Sequence, residues 1–142
     1  MKRLLVAYLA AVATLAVMDA LWLGLVATAF YQQQIGHLMA AEPRLGVAAV
    51  FYLLYLVGVL IFAIRPALAA GSGRLALTLG SAFGFFAYMT YDLTNLATLR
   101  DWPAIVALVD IAWGMLVSAA SAWVGYLAAM RVAPPASAQG RG

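Results

Sequence analysis

The sequence predicts an all-α fold, a four-helix transmembrane bundle with the N-terminus and the C-terminus both cytoplasmic. Composition and segmentation carry that prediction. The 142 residues are 67% hydrophobic and only 9% charged, where a soluble domain carries about 25% charged residues. The mean hydropathy is +0.99. The apolar residues gather into long segments, each near the ~20 residues that cross ~30 Å of hydrocarbon. Residues 1–131 are read as one transmembrane domain, with spans at 4–30, 46–64, 75–99 and 103–130, and 132–142 as a disordered tail.

The first span follows Lys2-Arg3, as a signal peptide would. Its apolar run outlasts a usual h-region, and no clean small-x-small cleavage site follows, so it is read as a retained anchor. Pro43 precedes the second span and Pro66 ends it. Gly71-Ser72-Gly73 makes a turn before the third. The third, with Thr90, Asp92, Thr94 and Asn95, is marginal as a lone membrane helix and is expected to need neighbours for its polar face. Asp101-Trp102-Pro103 reads as the start of the fourth, with Asp101 as N-cap and Pro103 in the first turn. The Pro-, Ala- and Gly-rich tail has no pattern to bury.

Basic residues set the orientation. With the N-terminus inside, Lys2, Arg3, Arg65, Arg74, Arg131 and Arg141 are cytoplasmic, and only Arg44 and Arg100 are outside. That asymmetry satisfies the positive-inside rule. The net charge of +3 needs no nucleic acid to explain it. Cysteine is absent, which excludes disulfides, thiolate zinc sites and thiol redox chemistry. A single histidine, His37, excludes a bis-histidine haem within one chain.

Three aspartates, Asp19, Asp92 and Asp110, fall inside the spans, whereas Glu42 and Asp101 fall in loops. A carboxylate at the centre of a membrane helix costs roughly 2.5–3.5 kcal/mol on insertion scales and usually marks function. With alternating spans, all three lie roughly 3–10 Å to the outer side of the midplane at 1.5 Å rise per residue. Tyr88, Asp92 and Asn95 share one face of the third helix, flanked by Tyr91 and Thr94. Asp110 leads a stripe of small residues, Gly114, Ser118 and Ala122, and Gly80 and Gly84 form another on the third helix; such stripes allow close approach. Tyr52 and Tyr55 offer hydroxyls at the same depth. Asp19 with Trp22 and Asp110 with Trp113 each form Asp-x-x-Trp, a spacing at which the indole covers its own aspartate's face. These ten residues, Asp19, Trp22, Tyr52, Tyr55, Tyr88, Tyr91, Asp92, Asn95, Asp110 and Trp113, are the candidate ligand-binding set.

No Lys or Arg lies in a span core. The acids must therefore be protonated, metal-bound, hydrogen-bonded or met by a basic residue from the outer loops, and Arg100 is the best placed. Close carboxylates in low dielectric cannot all ionise and titrate as a group. Oxygen donors of Asp and Asn suit a hard cation better than zinc or copper. Blander readings stand beside these: Asp110 as a helix-packing acid bonded to a tyrosine, Asp92 and Asn95 as a joint between helices, Trp102 in the interfacial aromatic belt, His37 in a loop, Gln32-Gln33-Gln34 at a solvated helix end.

The stretches Asp19-Ala-Leu-Trp22-Leu-Gly24, Phe51-Tyr52-Leu-Leu-Tyr55, Tyr88-Met-Thr90-Tyr91-Asp92-Leu-Thr94-Asn95, Trp102-Pro103 and Asp110-Ile-Ala-Trp113-Gly114 resemble domain-of-unknown-function family 2177, small bacterial predicted membrane proteins. The resemblance runs from about residue 4 to residue 130. It implies a multi-pass protein of the bacterial inner (cytoplasmic) membrane and supplies no catalytic assignment.

The residues favour a binding or transport role for a cation, proton or small polar ligand at the Asp/Tyr/Asn cluster. The alternatives are a structural or accessory membrane subunit and a lipid-modifying membrane enzyme. The enzyme reading lacks a nucleophile triad or histidine box. The lipid bilayer is the expected surrounding, with a homodimer or a membrane partner protein as company. The sequence assigns no metal and no cofactor.

Overall fold

The computed structural model describes residues 1–132. The expected tail, 132–142, lies outside them apart from Val132. Among the described residues the regular elements are all helical. We label them α1, Lys2–Leu38; α2, Leu45–Ala70; α3, Gly73–Thr98; and α4, Ala104–Val132. Helices α1, α2 and α4 are long and apolar enough to cross a membrane. Helix α3 falls short in apolarity rather than length, as its polar face leads one to expect.

Element ends differ from the expected ones for local reasons. Helix α1 runs on through Gln32-Gln33-Gln34, because nothing breaks it before the turn at Gly36–Leu38. Pro66 does not end α2. A π turn, Leu60–Ile64, comes just before it, and the loosened hydrogen-bond ladder there accommodates a residue with no N–H. The true stop is Gly71, left-handed at φ 63°, a conformation that suits a residue without Cβ. Ser72 then caps α3 by accepting from the Leu75 N–H at 3.2 Å. Helix α4 starts at Ala104, with the Pro103 carbonyl accepting from the Val106 N–H at 3.1 Å. Asp101 therefore lies ahead of the cap position expected of it.

Helix α4 is the element around which the others pack. It runs antiparallel to α1: Arg3 donates to the Met130 sulfur at 2.9 Å, and Asp19 meets Trp113. It also runs antiparallel to α3, whose Gly80 faces Ala122 and whose Gly84 faces Gly114 and Ser118. Helix α2 runs alongside in the direction of α4, with Tyr55 at Ser118 and Ile64 at Gly125. Small residues bring the backbones together. A Cβ on Gly80 would stand 2.8 Å from the Ser118 carbonyl, and one on Gly125 would stand 2.9 Å from that of Ala7. In lipid, such close packing rather than water exclusion drives helix association. One end of the molecule is an apolar core around Leu56, Val59, Ile64, Val117 and Tyr126. The outer surface exposes Leu25, Leu54, Phe62, Leu108 and many more large apolar side chains, a surface suited to lipid and not to water. The polar residues collect toward the end where α3 meets Trp102.

Candidate functional site

The first wall is built by α1. Its buried positions recur every four residues, Ala7, Ala11, Leu15 and Asp19. With α geometry throughout, Ala27 would lie roughly 80° around the helix from Asp19. A π turn at Trp22–Ala27 slows the rotation, and Ala27 is again buried. Such turns recur at functional sites. Beyond it Tyr31 faces α4 and donates to Asp110 Oδ1.

The two Asp-x-x-Trp pairs do not act within their own helices. Trp113 donates its indole N–H across to Asp19 Oδ1 at 3.0 Å, and Trp22 stacks on Trp113 with centroids 4.5 Å apart and planes 11° from parallel. The i, i+3 spacing set the indoles on the right faces, but the neighbouring helix supplies the partner. Asp19 is 8% exposed, so its one bond matters. Trp113→Phe should destabilise the protein by about 1–3 kcal/mol by leaving a buried acceptor unpaired. In an Asp19→Leu background the same change should cost much less, a coupling that a double-mutant cycle of unfolding in detergent reads directly.

Asp92 is fully buried at 0% exposure, and neither carboxyl oxygen has a hydrogen-bond partner. Trp102 is 8% exposed, packs edge-on to Tyr91 at 5.6 Å and comes near Asp92 without closing a bond, since its Nε1 is likewise unpartnered. Trp102 is therefore packed into the protein against α3. Arg100 is exposed; the groups acting on Asp92 and Asp110 are Asp110, Trp102 and Tyr31, with no cation among them.

A cavity of about 380 Å³ opens beside Asp110, lined by Phe51, Tyr55, Ala87, Tyr88, Tyr91 and Asp110. Tyr55 comes from α2 and points its hydroxyl away, to Ser118 Oγ at 2.6 Å, and Ser118 in turn donates to the Gly114 carbonyl at 2.6 Å. The Tyr88 ring lies against Gly114, where any Cβ would collide with it.

Of the expected set, Tyr55, Tyr88, Tyr91 and Asp110 line this cavity. Asp19, Trp22, Tyr52, Asp92, Asn95 and Trp113 do not. Tyr52 lies close to Asp19, Asn95 lies close to Tyr91, and Asp92 lies within electrostatic reach of Asp110. Asp19 and Asp110 both lie within electrostatic reach of Tyr88, but the three aspartates do not line one cavity. Among the described residues no group of three or more His, Cys, Asp or Glu could hold a metal ion. Sequence reading missed Tyr31, whose facing depends on the π turn, and Phe51, which carries no polar atom. It placed Ser118 in a packing stripe without seeing that its hydroxyl holds Tyr55.

The family model for DUF2177, described as a predicted membrane protein, matches residues 4–127. The match spans most of the chain, which belongs to that family. No curated protein and no solved structure matches it.

Proposed function

We propose that this member of the DUF2177 family is a four-span protein of the bacterial inner membrane that binds a cation, a proton or a small polar ligand in the cavity beside Asp110. The observation that carries the reading is a carboxylate in a membrane helix bordering a cavity shared by three helices, since intramembrane acids that face a cavity mark ligand and ion paths. The site lies in the outer half when both termini are cytoplasmic. That orientation is supported by the basic residues at the Gly71 end of the molecule. A fourth span is supported by α3 following α4 along its length, from Gly73 against Tyr126 to Tyr88 against Gly114.

The chain has no cysteine, so single cysteines report topology cleanly. Cysteines replacing Arg44 or Arg100 should react with an impermeant maleimide in cells whose outer membrane has been permeabilised, and one replacing Arg74 should not. Equal labelling at 74 and 100 would remove the third span.

A second reading, the structural or accessory subunit, is favoured by the Trp113–Asp19 and Tyr31–Asp110 bonds, which use two of the acids to hold α1 on α4. The two readings divide the residues: Asp19 joins helices, and Asp110 does that and borders the cavity. Titration of purified protein with a panel of inorganic and organic cations, with Asp110→Asn alongside, tests the binding role. No saturable binding of any member would leave the structural reading in place.

A further inference from the structure

We propose that the cavity is built for an organic ammonium ion, such as a methylated amine. This rests on the cavity being a binding site and names the class of ligand. Three observations point to it. The walls are aromatic: Phe51 and Tyr55 stand with centroids 5.4 Å apart, and Tyr55 and Tyr88 stand 6.4 Å apart at 82°, so they meet as a corner, with Tyr91 also lining the space. The Tyr55 hydroxyl is engaged by Ser118, so the ring is what it presents to a ligand. The single lining carboxylate, Asp110, has one oxygen held by Tyr31 and a second beyond it.

Rings around one carboxylate fit a diffuse, methyl-clad cation. Ring faces attract such a charge within about 6 Å of their centroids, and more strongly where water is excluded. They do not replace the 6–8 oxygens that a calcium ion takes or the octahedral shell of magnesium. A carboxylate with no basic neighbour disfavours an anion. A cavity of about 380 Å³ lies within the range of small-ligand sites. Phe51 and Tyr91, at 49% and 56% exposure, form an open rim on the lipid-facing side. Through it the ammonium can enter as a free ion or as a lipid headgroup.

The full chain in phosphatidylglycerol nanodiscs is titrated with tetramethylammonium, choline, choline's neutral carbon isostere 3,3-dimethylbutan-1-ol, and potassium. Both ammonium ions should bind saturably, with the isostere and potassium weaker by about thirtyfold or more. The double variant Phe51→Leu/Tyr91→Leu should weaken choline by about tenfold or more, with the protein still helical and monodisperse because both side chains are about half exposed. Isostere or potassium binding as tight as choline, still abolished by Asp110→Asn, would overturn the ammonium assignment and leave the binding site standing. So would a double variant that binds choline normally. Binding of no probe at all would overturn both. Replacing phosphatidylglycerol by phosphatidylcholine separates the sources. Loss of tetramethylammonium binding assigns the cavity to a lipid headgroup, unchanged affinity assigns it to a free ion, and either supports the proposal.

Discussion

Exchanging Asp110 for asparagine should lower cation affinity by about one hundredfold while leaving the protein folded. The loss follows from removing the one full charge that borders the cavity; charge-assisted contacts in desolvated sites are worth about 1.5–3 kcal/mol each before longer-range attraction is added. The fold survives because an amide oxygen still accepts from the Tyr31 hydroxyl, the partner of Asp110 in the native chain. The same carboxylate makes binding depend on pH with a definite sign. A proton and a cationic ligand compete for Asp110, so affinity falls as pH falls, approaching about tenfold per pH unit once the protonated form dominates. Asp110→Asn should give a weak and flat profile. Asp92→Asn should cost less, because Asp92 makes no bond to Asp110 and does not line the cavity. Isothermal titration of the three proteins across pH reads all of this in one series.

Gly84→Leu should prevent assembly of the helices altogether. Any Cβ at Gly84 collides with the Gly114 carbonyl and the Ser118 hydroxyl. The carbonyl belongs to the α4 backbone and cannot rotate away, so α3 and α4 must separate. Overpacking a well-filled core costs about 1–3 kcal/mol when side chains can adjust; with backbone as the obstacle the cost should exceed about 3 kcal/mol. Separation would also expose Asp92 to lipid, an added penalty of roughly 2.5–3.5 kcal/mol on insertion scales. Size-exclusion chromatography and thermal unfolding in detergent should show aggregated or unfolded Gly84→Leu protein beside normal Gly24→Ala. A Cβ at Gly24 meets nothing within 4 Å, so that variant controls for glycine loss alone.

The helical class, the membrane character and the family were legible in the sequence because they rest on composition and long apolar runs. The small-residue stripes on α3 and α4 were legible as spacing, and the structure brings them into contact. The partners of the acids were not legible. Asp19 and Trp113, or Tyr31 and Asp110, lie far apart in the chain, and helical spacing says which face a residue occupies, not what stands opposite. The π turn at Trp22–Ala27 leaves no mark in the hydropathy pattern, yet it decides that Tyr31 faces α4. Pro66 misled for the same reason, since a π turn absorbed a break that α geometry would have enforced. The packing of Trp102 on Tyr91 was not legible either, because it joins the loop before α4 to a face of α3.

The most direct measurement is labelling with dicyclohexylcarbodiimide, which enters the bilayer and couples to protonated carboxyls in apolar surroundings, read by mass spectrometry of the intact chain and its fragments. A ligand anchored on Asp110 predicts an adduct at Asp110, with Asp19 and Asp92 spared by burial, and slower labelling when a bound cation from the panel is present. Adduct formation at Asp110 that no cation slows, or an adduct confined to Asp92, would contradict it.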